Sequence, residues 1–126
     1  VVDEAILHNA YDNGLAVIAI VLFAPTWAQA YPGSACGPIA PHQLDRYAAF
    51  LNALVKRYRD PPYGIKYWEL GNEPDAQVVY ERRVYGCWGE YRDETFGGEA
   101  YGEMLKVAYP AIKAARLDPV EAIRYE

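Results

Sequence analysis

An acid beside an amide ends one of the predicted strands of this chain. The segment YWELGNEPD, residues 67–75, begins as a strand and ends in Asn72-Glu73-Pro74. A carboxylic acid in such a position can protonate a departing oxygen, and a nearby carboxylate keeps it protonated near neutral pH by raising its pKa. An amide beside it can donate a hydrogen bond to a substrate hydroxyl. The alternative interpretation of Glu73 is a strand-end acid that caps the next turn.

Three further residues are candidates for roles around this strand end. Glu69 lies on the same strand face as Glu73, because side chains alternate along a strand. We interpret it as a structural acid that hydrogen-bonds to interior polar groups, or as a group that influences the pKa of Glu73. Trp27 and Trp88 lie in the loops after the two predicted strands. Each either stacks on a sugar ring or simply packs its loop.

Strands and helices alternate along the chain. The predicted elements are the end of a helix over 1–13, strand 17–22, helix 42–59, strand 65–70 and helix 99–115. The first strand is apolar on both faces, which is typical of a buried strand in a parallel sheet. Long loops follow both strands, over 25–41 and 76–98. This order predicts an α/β fold built from parallel βα units, with functional groups on the loops at the carboxyl ends of the strands.

Composition limits the class of partner. The chain has 126 residues, a formal net charge of −5, 12 Tyr and 3 Trp. An acidic chain of one-domain size argues against a nucleic-acid or anionic-membrane partner. The most apolar segment, 15–28, is too short to span a membrane. We therefore expect no nucleic acid and no membrane among its partners, and the aromatic residues suit a neutral, amphipathic ligand.

The two cysteines, Cys36 and Cys87, each lie in a glycine-rich loop. They either form one disulfide, which would indicate an oxidising compartment, or remain as two free thiols. Their spacing suits no metal site, and no cofactor is expected.

The motif W-E-x-G-N-E-P at 68–74 resembles the fourth-strand motif of glycoside hydrolase clan A, the retaining (β/α)8-barrel glycosidases. It is most similar to the β-xylosidase/α-L-iduronidase family. The resemblance extends over residues 15–115, including FAPTWA, LDRYAAFLNALVKRY and GGEAYGEMLKVAYPAIKAA. It implies that residues 1–115 form a partial TIM-barrel catalytic domain, containing about strands 3 and 4 of the barrel with their flanking helices.

The same resemblance implies a role for each motif residue. Glu73 matches the general acid/base, Asn72 the amide that binds the sugar 2-hydroxyl, and Glu69 an acid that points into the barrel. The substrate would be an oligosaccharide or polysaccharide, and the parent enzyme would be secreted or periplasmic.

The chain carries no counterpart of the nucleophile, which clan A places on the seventh strand. A complete barrel needs about 250 residues. We therefore expect little or no glycosidase activity from these residues alone. The alternatives are a non-catalytic sugar-binding remnant and a non-functional fusion product.

The last dozen residues, ARLDPVEAIRYE, depart from the clan pattern. They resemble the cytoplasmic C-terminus of MacB/FtsX-type ABC permeases, so residues 116–126 are interpreted as an atypical, foreign tail. Two parallel strands without neighbours leave unpaired edges and an apolar sheet face. Self-association through those edges is the expected consequence.

Overall fold

The computed structural model describes residues 2–33, 35–71, 77–80, 83–86, 88 and 97–116. The described elements are the helices α1 (Glu4–Asp12), α2 (Leu44–Tyr58) and α3 (Gly98–Arg116) and the strands β1 (Ile18–Val21), β2 (Tyr67–Leu70), β3 (Gln77–Tyr80) and β4 (Arg83–Gly86). Two short 3-10 turns occupy Thr26–Ala28 and Pro41–Gln43. The predicted α/β class is confirmed.

Helix α1 is capped at both ends by its own sequence. The carboxylate of Asp3 accepts hydrogen bonds from the backbone N–H groups of Ala5 and Ile6, at 3.1 and 3.3 Å. These bonds satisfy amides that the first helical turn leaves without a partner. The helix then ends at Asn13-Gly14, as predicted, because Gly14 adopts a φ of 68° that side chains disfavour.

Strands β1 and β2 pair in parallel, as predicted, in a two-stranded sheet. The register aligns Ile18 with Tyr67 and Ile20 with Glu69, so all four of these residues share one face of the sheet. That face is exposed: 64% of Ile18 and 47% of Ile20 are accessible. The prediction that β1 is buried on both faces is therefore wrong for the described structure, because the helices pack on the opposite face.

The core lies between the other face of this sheet and the helices. It is formed by Leu51 of α2, Leu70 of β2, Met104 and Ala108 of α3, and Trp88. Buried positions in α2 (Leu51, Val55 and Tyr58) and in α3 (Met104, Ala108 and Ala115) recur at helical spacing. The two helices therefore present continuous apolar stripes to each other and to the strands.

The segment after β2 contains regular structure where a long loop over 76–98 was predicted. Strands β3 and β4 pair antiparallel within it, with Gln77 opposite Gly86 and Tyr80 opposite Arg83. Their sequences, QVVY and RVYG, combine valine with tyrosine, which favours strands. The prediction of a loop was wrong here because charged residues around the hairpin outweighed this local signal.

Residues 116–126, which were predicted to form a foreign tail, lie outside the described residues except for Arg116. Helix α3 continues through Arg116, one residue beyond the predicted boundary at 115/116, and residues 117–126 are not described. None of the helices within the described ranges is long and apolar enough to cross a membrane.

Candidate functional site

The carboxyl ends of β1 and β2 are joined to each other. The backbone N–H of Gly71 donates a 3.0 Å hydrogen bond to the carbonyl of Val21, which continues the pairing one residue beyond β2. The loops that follow the two strands therefore leave the sheet from the same edge. In βα architectures this edge is where catalytic and binding groups gather.

A cavity of about 430 Å³ opens at this edge. Residues from the ends of both strands line it, together with the loop after β1 and one side of α2 and α3. The described lining consists of Val21, Leu22, Phe23, Ala24, Pro25, Trp27, Ala28, Cys36, Gly37, Ile39, Tyr47, Phe50, Gly71, Trp88 and Met104. None of these residues carries a formal charge, and five of them are aromatic.

The loop after β1 is held in shape by its own backbone. The N–H of Ala40 donates to the carbonyl of Ala28 at 2.8 Å, and Gln29 forms a bridge with Ile39. The side-chain amide of Gln29 also donates to the carbonyl of Ala24 at 2.9 Å. The loop thus forms a defined wall of the cavity.

Phe23 begins this wall in an unusual backbone conformation. Its φ is 60°, in the left-handed region that a bulky side chain rarely adopts, and its ring is largely exposed. Such a conformation costs on the order of 1–3 kcal/mol and is found preferentially at functional sites. Phe23 was not among the predicted site residues, although its position directly after an apolar strand was a usable signal.

The two predicted tryptophans differ in their environments. Trp27 lies on the turn Thr26–Ala28 and is 56% exposed, so its ring is available to a ligand at the cavity. Trp88 is only 7% exposed and packs edge-to-face on Tyr101, with ring centroids 5.3 Å apart. Its burial in the core favours the packing alternative for Trp88, whereas stacking remains open to Trp27.

Tyr47 of α2 also lines the cavity. The pKa of Tyr47 is raised to about 12, mainly by burial and to a smaller extent by the neighbouring Tyr101. Its phenol therefore stays neutral at physiological pH and can donate a hydrogen bond there. The ring of Tyr47 also stacks with that of Phe50, one turn later on α2, at a centroid distance of 6.3 Å.

Glu69 lies on the exposed face of the sheet, opposite the helices. It makes no hydrogen bond or ion pair with any residue in the described part of the chain. The hydrogen bonds to interior polar groups predicted for it are thus not found in that part.

Several predicted site residues lie outside the described residues, namely Asn72, Glu73 and Cys87. The nearest described residue to the acid and the amide is Gly71, which directly precedes Asn72 and lines the cavity. Cys36, another lining residue, is disulfide-bonded, and Cys87 is the only other cysteine in the sequence. Within the described residues, no group of three or more His, Cys, Asp or Glu side chains is arranged to hold a metal ion.

No protein-family model, curated protein or solved structure matches the chain.

Proposed function

We propose that this chain provides the acid/base side of a retaining O-glycoside hydrolase active site, with the substrate held in the cavity at the ends of β1 and β2. One observation carries the proposal. Gly71, the residue directly before Asn72-Glu73, lines an aromatic cavity at the joined carboxyl ends of two parallel strands. The motif Asn72-Glu73-Pro74 therefore follows directly after a residue that lines this cavity.

The chemistry assigns a role to each motif residue. Glu73 protonates the glycosidic oxygen as the bond to the anomeric carbon breaks, and its carboxylate then removes a proton from the incoming nucleophile. Asn72 donates a hydrogen bond to the 2-hydroxyl, and this bond strengthens in the transition state. Trp27 offers an exposed ring on which the substrate can stack.

A second carboxylate is needed for the full retaining reaction, about 5–5.5 Å from the first. None of the described residues that line the cavity is an acid. This supports binding and acid assistance by the chain rather than unaided turnover. A purely sugar-binding role is the second candidate, and the lack of an acid among the described lining residues favours it.

A reaction with an added nucleophile distinguishes acid catalysis by Glu73 from sugar binding alone. In concentrated sodium azide, azide can attack the anomeric carbon of phenyl β-D-xyloside while the proton of Glu73 passes to the departing phenol oxygen. The products are xylosyl azide, inverted at the anomeric carbon, and phenol. Since phenol is a modest leaving group, we expect Glu73→Gln to slow this reaction about 10²-fold or more, as for loss of a general acid.

The matched control is Glu103→Gln, which removes an exposed acid on α3 that pairs with Lys106. It should form azide product at the wild-type rate. Equal rates for wild type and Glu73→Gln, zero included, would overturn the acid role. The binding of methyl β-D-xyloside would then be measured by calorimetry. If the wild-type chain binds this sugar and Asn72→Ala binds it more weakly, the sugar-binding candidate remains in place.

A further inference from the structure

We infer that the cavity at the ends of β1 and β2 recognises a flat apolar ring, the aglycone of an aryl glycoside, and that Trp27 stacks on this ring rather than on the sugar. The inference rests on the proposed function for the position of the sugar, and it names the substrate class of the same site. A polysaccharide substrate would place a second sugar ring where we place the aglycone.

The chemistry of the lining is the first argument. A sugar ring exposes a hydroxyl on almost every carbon, and each buried hydroxyl needs a hydrogen-bond partner. The described lining contains no carboxylate, amide side chain, lysine or arginine that could provide such partners. It is instead dominated by aliphatic and aromatic side chains, so burying hydroxyls in it would cost free energy.

The arrangement of the aromatic rings is the second argument. Trp27 and Phe23 are exposed at the loop, and Phe50, 49% exposed, stacks with Tyr47 on the side formed by α2. All four line the same cavity. A flat ring inserted there contacts apolar side chains from two elements, and aromatic pairs add stabilisation beyond the area that they bury.

One polar group in the lining suits the same ligand. Tyr47 is the only tyrosine among the described lining residues, and its hydroxyl stays protonated at physiological pH. A neutral phenol can donate a single hydrogen bond to an ether or phenolic oxygen of an aglycone. The cavity volume of about 430 Å³ also lies within the range of small-molecule sites.

The test compares two ligands that differ only in the aglycone. Titration calorimetry would measure the affinities of phenyl β-D-xyloside and methyl β-D-xyloside for the wild-type chain. We expect the phenyl glycoside to bind roughly tenfold more tightly, since burial of a ring removes apolar area from water. Trp27→Ala should abolish this difference.

A matched control excludes general stickiness of the exposed apolar surface. Tyr67 is 57% exposed, against 56% for Trp27, but it lies on the open face of the sheet and outside this cavity. Tyr67→Ala should therefore retain the tenfold preference. Equal affinities of the two ligands in the wild type would overturn the inference, and so would a preference that survives Trp27→Ala.

A free aglycone separates failure of this inference from failure of the proposed function. We expect 2-naphthol to bind the wild-type chain and Tyr67→Ala, and to bind Trp27→Ala at least several-fold more weakly. If 2-naphthol binds in this way while neither glycoside does, the aryl site stands and the proposed glycosidase function fails. If the glycosides bind but 2-naphthol does not, the sugar site stands and the aryl inference is overturned.

Discussion

The hydroxyl of Tyr101 donates a 3.0 Å hydrogen bond to the backbone carbonyl of Leu70, the last residue of β2. Helix α3 is thereby attached to the strand end that leads into Asn72-Glu73. Trp88 packs edge-to-face on the same tyrosine ring, so the attachment is shielded from solvent on that side. The position of the end of β2 thus depends on a contact made some thirty residues later in the chain.

Tyr101→Phe tests this attachment. The variant keeps the ring but removes the donor, so the carbonyl of Leu70 loses its side-chain partner. We expect the free energy of unfolding to fall by about 1 kcal/mol, the usual net value of one hydrogen bond. Urea denaturation monitored by circular dichroism measures the change. Tyr109→Phe is the control, because Tyr109 lies on the same helix with an exposed side chain and should change stability by less than about 0.5 kcal/mol.

Leu51 of α2 is fully buried and belongs to the core cluster. Leu51→Ala should lower the free energy of unfolding by about 2–5 kcal/mol, since truncation loses apolar burial and leaves a cavity. Because such a loss approaches the total stability of a small domain, Leu51→Met provides a milder variant with an expected cost below about 1.5 kcal/mol. Thermal and urea unfolding would measure the loss of free energy of unfolding in each variant.

Leu15→Ala removes a leucine that is mostly exposed and serves as the control for these core variants. It should change the free energy of unfolding by less than about 0.5 kcal/mol. A similar loss in Leu15→Ala and Leu51→Ala would contradict the assignment of the core to the interface of α2, α3 and β2.

Glu4 attaches α1 to the rest of the fold. Its carboxylate accepts hydrogen bonds from Arg57 at 2.6 and 3.1 Å, from Tyr58 at 2.9 Å and from Tyr63 at 3.0 Å. The bond from Arg57, followed by those from Tyr58 and Tyr63, lowers the pKa of Glu4 below its ordinary value of 4.5. The charged carboxylate is therefore the form that the folded state prefers.

The stabilisation by Glu4 should depend on pH in a defined direction. A group whose pKa is lowered by folding stabilises the fold above its unfolded pKa and loses this contribution as pH falls through its folded pKa. Stability should therefore decline as pH falls below about 4.5. Glu4→Gln should be less stable at pH 7 and show a shallower decline, measured by urea unfolding at pH values between 7 and 3.

Glu103→Gln is again the control, because its acid is exposed and pairs only with Lys106 among the described residues. It should retain the wild-type decline below pH 4.5. If Glu4→Gln followed the wild-type profile at every pH, the attachment of α1 through Glu4 would make no contribution to stability.

Gly64 provides a test of backbone conformation. It has a φ of 60°, and a Cβ added to it would lie 2.6 Å from Cε2 of Tyr11 on α1. Gly64→Ala should lower the free energy of unfolding by about 1–2 kcal/mol because of the left-handed backbone alone. The clash with Tyr11 should add to this loss, and the double variant Tyr11→Ala/Gly64→Ala should recover that added part.

Gly102→Ala is the matched control, because Gly102 lies inside α3 and, apart from the adjoining helix backbone, no atom lies within 4 Å of the added Cβ. Replacing a helical glycine with alanine should stabilise the fold by about 0.5–1 kcal/mol. Opposite signs for the two glycine variants, measured by thermal unfolding, are the expected result. Two losses of equal size would contradict this interpretation.

Much of the fold could be predicted because its signals are local. The apolar residues of α2 recur at helical spacing, and the predicted helix 42–59 agrees with Leu44–Tyr58 within about two residues at either end. The end of α1 at Asn13-Gly14 could be predicted because glycine readily adopts the positive φ that ends a helix. The parallel pairing of β1 and β2 followed from the helix between them, since a crossover is required to bring two strands side by side in parallel.

The parts that were missed depend on long-range contacts. The sequence could not show that only one face of β1 is covered, since this depends on where α2 and α3 pack. The cavity that joins Phe23, Trp27, Phe50 and Gly71 was also not predictable, because these residues come from separate elements. The β3–β4 hairpin, in contrast, did have a local signal in its valine and tyrosine residues. The charged residues around it favoured the prediction of a loop instead.

By itself the sequence determined the three helices, the strands β1 and β2, their order and the motif that places an acid after β2. Periodicity, capping and strand preference act over a few residues, so each can be read from its own segment. The tertiary structure alone decided that Trp88 is buried while Trp27 is exposed, and that the described lining of the cavity is uncharged. Burial and cavity shape depend on which distant residues come into contact, and only the packing of α2 and α3 on the sheet determines that.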